Sequence, residues 1–410
     1  MDELSVSSTS AIARGSPWVL GQVSRTWRAV ALSTPSLWSL VYISRTQIPG
    51  VSLEMIETQV ERARMLKIHF YASEEMDEIT QSEIFDTLCE HSARWEELSI
   101  QLTKALVAPL AALRGRLPSL QRLWIQWSRI ESQNGVDSIT CFETASSLVD
   151  AGMYSKSRYV PVLLPAHQLT SYRLQGPWKM HRRVLRMAPN IVDARIIVAF
   201  DEEPWPESAH SVIDMPHVRR LYVSDTKILE YLRAPALVDI AIYLTGPKAL
   251  VERLDAFVLR SACTLQRLCL KGLPHARTTA EILDKFPSIT GLMLVFCCRG
   301  SKAVDTHLTA LTLSGSSPPT VATRLTEIFF GSSKPIAIDY PLFLKMLESR
   351  RSPHSALTAA AFLMYDRSEP DPVTLAGLDA LRDGGLSLSV ASGPSARRRI
   401  KHWTGGTPWH

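Results

Sequence analysis

An eight-residue pattern recurs along this chain and limits what it can fold into. PSLQRLWI (118–125), SSLVDAGM (146–153), HQLTSYRL (167–174), PNIVDARI (189–196) and PHVRRLYV (216–223) share it. So do PALVDIAI (235–242), CTLQRLCL (263–270), PSITGLML (287–294) and TRLTEIFF (323–330). Each fits x-x-[LIV]-x-x-[LIAY]-x-[LIVMF]. RWEELSI (94–100) and SALTAAAF (355–362) read as outlying copies, and LKIHF (66–70) as a first short strand. The third position is marked by Leu120, Leu148, Leu169, Ile191, Val218, Leu237, Leu265 and Ile289, in steps of 19 to 28 residues. That interval matches a leucine-rich-repeat period of roughly 20–29 residues.

The pattern has a physical meaning. In a strand, alternate side chains point to opposite faces, so the last two apolar residues of each octet point inward and the residue between them outward. One such strand cannot bury its apolar face alone. Successive copies must stack into a solenoid.

Helical spacing fills the intervals. In 51–64, Leu53, Ile56 and Val60 share a face, as do Leu250, Leu254, Phe257 and Val258 in 249–261. Asp339 reads as an N-cap for 339–351; Asp371 with Pro372 opens a helix that Gly384 closes. The expected fold class is therefore α/β: an irregular leucine-rich-repeat solenoid, a curved parallel sheet with helices on its convex side. Irregularity follows because the Asn or Cys that usually ties the repeat loops together is mostly missing.

In such a solenoid the outward strand residues line the concave, binding face. The aromatic and basic residues at these positions are Arg122, Trp124, Arg173, Arg195, Arg220, Tyr222 and Arg267. Trp, Tyr and Arg are enriched at interaction hot spots, and guanidinium groups suit acidic or phosphorylated protein partners. These seven are the candidate partner-binding residues, for a protein substrate that the sequence leaves unknown.

Other signals exclude whole classes. Hydrophobic residues make up 46% and charged ones 21%, values that argue for a folded chain. A net charge of +5 is small for this length and gives no argument for nucleic acid. Cys89, Cys141, Cys263, Cys269, Cys297 and Cys298 form no C-x-x-C pair, so reduced thiols are expected. The N-terminus has no apolar signal segment, and the longest apolar run, 292–298, is too short to span a bilayer. A cytoplasmic or nuclear protein without membrane attachment is expected. No nucleophile elbow, phosphate loop or zinc-ligand spacing occurs, so the chain is read as non-enzymatic, with no cofactor and no metal. RRRIK (397–401) lies in a segment, 393–410, expected to be a flexible basic tail, and R-R-S-P (350–353) is a candidate phosphorylation site.

One segment stands outside the repeat. PWVLGQVSRTWRAVALSTPSLW (17–38) spaces Leu20, Val23, Trp27 and Val30 as on one helix face, and Thr34–Pro35 starts a second turn carrying Leu37 and Trp38. Extended to 43, this stretch resembles the second half of the F-box-like domain in the F-box/leucine-rich-repeat families of mushroom-forming (basidiomycete) fungi. The sixteen residues before Pro17 lack the "L-P-x-E" motif of the first F-box helix. The resemblance implies a substrate-recognition subunit of a Skp–cullin–F-box ubiquitin ligase. It implies docking on the Skp adaptor, with Pro17, Leu20, Val23, Trp27, Val30, Leu37 and Trp38 as the adaptor-facing or domain-core candidates. The resulting organisation is a disordered 1–16, a partial F-box at 17–50, the solenoid at 51–392 and the tail. The alternative is a leucine-rich-repeat scaffold with no ligase link, its N-terminal helices only capping the solenoid.

Overall fold

A computed structural model describes residues 17–44, 52–75, 77–205, 212–244, 249–297, 302–313, 323–336, 338–350, 356–365 and 370–404. Residues 1–16, Cys298, most of the R-R-S-P string and 405–410 lie outside the described residues. The chain divides into two compact units, Met1–Ala188 with Ala199–Glu202, and Pro189–Val198 with Glu203–His410.

The first unit opens on helices α1 (Pro17–Val23) and α2 (Arg25–Ser33) and a 3₁₀ turn at Pro35–Trp38. Strands β1 (Leu40–Ser44), β2 (Leu66–Tyr71), β3 (Trp95–Leu102), β4 (Arg122–Trp127), β5 (Asp150–Tyr154) and β6 (Ser171–Gly176) follow. They lie side by side in chain order, and β1 to β6 pair in parallel. Between or after them run α3 (Leu53–Arg62), α4 (Glu78–Glu90), the short α5 (Val107–Ala111) and α6 (Trp178–Met187).

The second unit repeats the plan. Its strands are β7 (Asp193–Val198), β8 (Ile213–Asp214), β9 (Arg220–Val223), β10 (Leu232–Arg233), β11 (Asp239–Leu244), β12 (Arg267–Gly272), β13 (Gly291–Phe296), β14 (Glu327–Ser332), β15 (Ala359–Met364) and β16 (Ser387–Ser392). Apart from β8 and β10, which pair with each other, they form one parallel run in chain order. Its helices are α7 (Leu250–Ser261), α8 (Ala276–Lys285), α9 (Lys302–Leu311), α10 (Tyr340–Ser349), α11 (Pro372–Asp383) and α12 (Gly393–Trp403). Parallel neighbours need a crossover, and the intervals between octets are long enough to supply one. The shortest step, from Val218 to Leu237, crosses over without an α-helix, through a 3₁₀ turn at Thr226–Tyr231 and the short strand β10. Each unit is an α/β leucine-rich-repeat solenoid segment.

The octets sit in register. Arg122 faces Asp150, which faces Ser171; Asp193, Arg220, Asp239, Arg267, Gly291, Glu327, Ala359 and Ser387 face one another in turn. Every one of these, to Ala359, is the fifth residue of its octet. The sixth and eighth residues, such as Leu123 and Ile125 or Leu268 and Leu270, are buried against the crossovers. Phe343 of α10, for example, packs its ring on Phe330 and Phe362 at 6.1 and 5.3 Å. Burying a side chain of this size contributes roughly 1.5–3 kcal/mol, which is why the octet dominates the fold.

Capping follows the sequence. Asp339 accepts from Leu342 N at 2.8 Å, and Asp371 accepts from Val373 N and Thr374 N. The run expected from Pro17 is broken, however. Ser24 is extended and its Oγ caps Trp27 N at 3.1 Å, starting a second helix. A larger correction concerns residue 393 onward. The expected flexible tail is helical over Gly393–Trp403, because Ala396 and Ile400 find an apolar surface to bury against.

His307, on α9, is buried against Phe296, and its Nδ1–H donates to Ala303 O at 2.6 Å. Burial lowers its pKa below the usual histidine value. The unfolded chain takes up a proton near pH 6.5 that the folded state resists, so stability falls as pH drops below that value. Replacing His307 with Gln should flatten the decline of the unfolding midpoint between pH 7 and 5. Identical slopes in both proteins would contradict this assignment.

Candidate functional site

In-register parallel strands stand about 4.8 Å apart, so side chains at one octet position form a row. In the first unit the fifth position alternates in charge through Glu97, Arg122 and Asp150, and His69 and Arg173 from the seventh position join it. Arg122 Nη2 meets Glu97 Oε2 at 2.7 Å, and Glu97 Oε1 lies 2.7 Å from His69 Nε2. Arg173 Nη1 bridges both oxygens of Asp150 at 2.9 and 3.0 Å. Trp124 lies over Gly152 so closely that a Cβ there would fall 2.2 Å from its ring.

The second unit has a fifth-position ladder of its own. Arg220 meets Asp193 at 3.0 Å, and Arg267 Nε donates to Asp239 Oδ1 at 2.7 Å. Four of the five arginines in the expected basic strip, Arg122, Arg173, Arg220 and Arg267, are therefore matched by a carboxylate on a neighbouring strand of the sheet. The strip is an ion-pair ladder, not a free cationic surface. Its sequence signal was the alternation of Glu97, Arg122 and Asp150, and of Asp193, Arg220, Asp239 and Arg267. Alternation becomes pairing only once the register is known.

Arg195 and Tyr222 have a different fate. Arg195 stacks on the Tyr222 ring at 4.4 Å and donates from Nη1 to Thr404 O at 2.8 Å. Tyr222 is buried, which pushes its hydroxyl pKa to about 12. It belongs to an apolar cluster with Ala241, Cys269, Met293, Phe329 and Ala361, covered by Ala396 and Ile400 of α12. Tyr222 was expected as an open contact residue; it is buried in this cluster, with the Arg195 guanidinium over its ring. Ala396, Ile400 and Trp403 lie outside the expected strip, although their 4- and 3-residue spacing is helical.

Of the seven residues expected to face an adaptor, Pro17 opens α1 and Leu20 is half-buried. Val23, Trp27, Val30 and Leu37 are exposed, the first three at 62%, 51% and 48%. Trp38 differs from these: of the adaptor-facing and domain-core alternatives it takes the core position. It is buried, its Nε1 donates to Ala31 O at 2.7 Å, and Trp18 meets it edge-on at 5.1 Å. The Arg62 guanidinium from α3 sits 4.5 Å from its centroid. Trp38 anchors the helical pair, Pro17 and Leu20 are half-buried, and Val23, Trp27, Val30 and Leu37 are exposed to solvent. Val19 and Leu32 extend the exposed apolar set.

The cysteines offer little reactivity. Burial pushes the thiols of Cys89, Cys141 and Cys269 up to about 12, leaving almost no thiolate at neutral pH. Among the described residues no three His, Cys, Asp or Glu side chains gather as a metal site, and no helix is long and apolar enough to cross a membrane.

No family model and no curated protein matches this sequence. Solved structures do match by shape. In one, the crystal structure of a TLR13–ssRNA13 complex, the match covers 87% of this chain and 52% of that chain, at 12% identity and a TM-score of 0.36. The chain thus spans about half the length of that solved chain.

Proposed function

We propose that this chain is an F-box-like, leucine-rich-repeat interaction protein that acts as a substrate-recognition subunit of a Skp–cullin–F-box ubiquitin ligase. The observation that carries the reading is the way α1 and α2 are mounted. Trp38 fixes the pair to the first unit, while Val23, Trp27, Val30 and Leu37 stand in solvent. A helix pair serving only as a cap would turn those side chains onto the strand beside it. An exposed apolar set on two short helices suits a partner helix or groove. The fungal F-box-like resemblance of residues 17–43 names the partner as a Skp adaptor. The repeats behind the module then select the protein substrate.

Co-expression with a Skp adaptor tests the reading. The two proteins should co-elute on size exclusion, and Trp27→Glu with Val30→Glu should abolish co-elution while leaving the melting temperature within about 1–2 °C, because both residues are exposed. Absence of co-elution would reject the adaptor link and leave the second reading, a leucine-rich-repeat scaffold without a ligase.

A further inference from the structure

The seventh-position row differs between the two units. In the first it is Ser99, Trp124, Gly152 and Arg173, a mixed row with no continuous apolar face. From β9 to β15 it is Tyr222, Ala241, Cys269, Met293, Phe329 and Ala361, and Val295 and Leu363 widen the same apolar face. Helix α12 lies along that face. Ala396 and Ile400 are buried in it, and Trp403 meets Phe329 edge-on at 5.3 Å, with the Arg267 guanidinium 5.6 Å from its centroid. Glycine makes the space: a Cβ on Gly331 would lie 3.1 Å from Ile400, and one on Gly291 3.2 Å from Trp403. Arg195 receives the carbonyl just past the helix end, at Thr404, where a cation is favoured.

The helix itself is weakly self-supporting. Arg397, Arg398, Arg399, Lys401 and His402 crowd one short segment, and Arg397 and Lys401 stand four residues apart, a repulsive spacing. Its N-cap, Ser392, makes no side-chain hydrogen bond, and no acidic residue lies in its first turn. It is joined to β16 through Gly393, whose φ of +64° gives the sharp turn between strand and helix. An isolated helix of this length is marginal in water, so the face beneath it supplies the stability.

The geometry points to a helix-recognition groove across β9–β15, with α12 as its resident occupant. The partner it fits is an amphipathic helix of another protein with a small residue, an aliphatic residue four positions on and an aromatic residue three further. Its outer face is basic and its C-terminal carbonyls are received by Arg195. Binding of that helix displaces α12. The inference deepens the reading of the repeats as the substrate-selecting part, and does not depend on α1 and α2.

A fluorescently labelled peptide of residues 392–404 is the probe, titrated into the full-length chain and followed by polarisation. The wild-type chain, its groove filled, should bind weakly. Full-length Ile400→Asp, with α12 unseated, should bind at least tenfold more tightly, and a peptide carrying the same change should bind neither protein. Arg195→Gln, which removes the same carbonyl contact from α12 and from the peptide, should leave the apparent affinity of the wild-type chain within about twofold. No gain in Ile400→Asp overturns the groove. Hydrogen exchange on the wild-type chain reads the same idea without a variant: α12 amides should exchange at least tenfold faster than those of β12–β14. Equal rates overturn displacement. A gain accompanied by dimers that exchange α12 makes a second copy the occupant and overturns the partner-helix assignment. Because adaptor co-elution is measured separately, failure of the groove and failure of the adaptor reading give different patterns.

Discussion

Replacing Trp38 with Ala should release the N-terminal helical pair from the first unit at a cost of about 3–5 kcal/mol, the range for losing a large buried aromatic. Three interactions go at once. The indole is 2% exposed and its Nε1 proton is held by Ala31 O. Trp18 loses its edge-on partner, and Arg62 loses the ring beneath its guanidinium. The bond to Ala31 fastens α2, the ring contact with Trp18 fastens α1, and Arg62 ties both to α3. The measurement is amide exchange over residues 17–44, which should lose protection before the strands from β3 onward. Trp27→Ala is the matched control. It removes the same side chain from a 51%-exposed position and should change stability by no more than about 0.5 kcal/mol. Equal effects of the two substitutions would mean that Trp38 is not the anchor.

Gly272→Ala should be the most damaging single methyl group in the second unit. Gly272 ends β12 with φ +115°, and a Cβ there would fall 2.2 Å from the Leu244 carbonyl oxygen on β11. That atom is backbone, and its own oxygen accepts from Leu273 N at 3.2 Å, so neither strand can yield without breaking the pairing. Positive φ alone costs an alanine about 1–2 kcal/mol, and the collision adds to it, for a total of about 3 kcal/mol or more. Gly135 separates the two contributions. Its φ is +76° but nothing lies within 4 Å of a Cβ there, so Gly135→Ala should lose only the conformational part. Thermal unfolding of the two variants, side by side, decides it. If Gly272→Ala melts no lower than Gly135→Ala, the backbone collision has been relieved by a route the packing does not suggest.

Much of the architecture could be read before any coordinates. The octet marked strand after strand, and its fifth residue proved to be the alignment point of the sheet from Arg122 to Asp150 and on to Ala359. The caps at Asp339 and Asp371 were legible because capping is local chemistry. The candidate binding strip was legible only in part. Arg122, Arg173, Arg220 and Arg267 do lie on the outward face, yet each is matched by a carboxylate 23 to 28 residues earlier in the chain.

The amino-acid sequence by itself determined the repeat, the inward positions and the helix starts at Asp339 and Asp371. Each depends on neighbours within one turn of helix or one strand, where periodicity and capping are decisive. Only the tertiary structure decided that Trp38 turns inward while Trp27 turns out, that arginines pair along the ladder, and that 393–403 becomes a helix. A cation-rich segment has too little propensity to declare itself. It folds because Ala396, Ile400 and Trp403 meet a face assembled from residues up to about 180 positions earlier, and no local pattern carries that information.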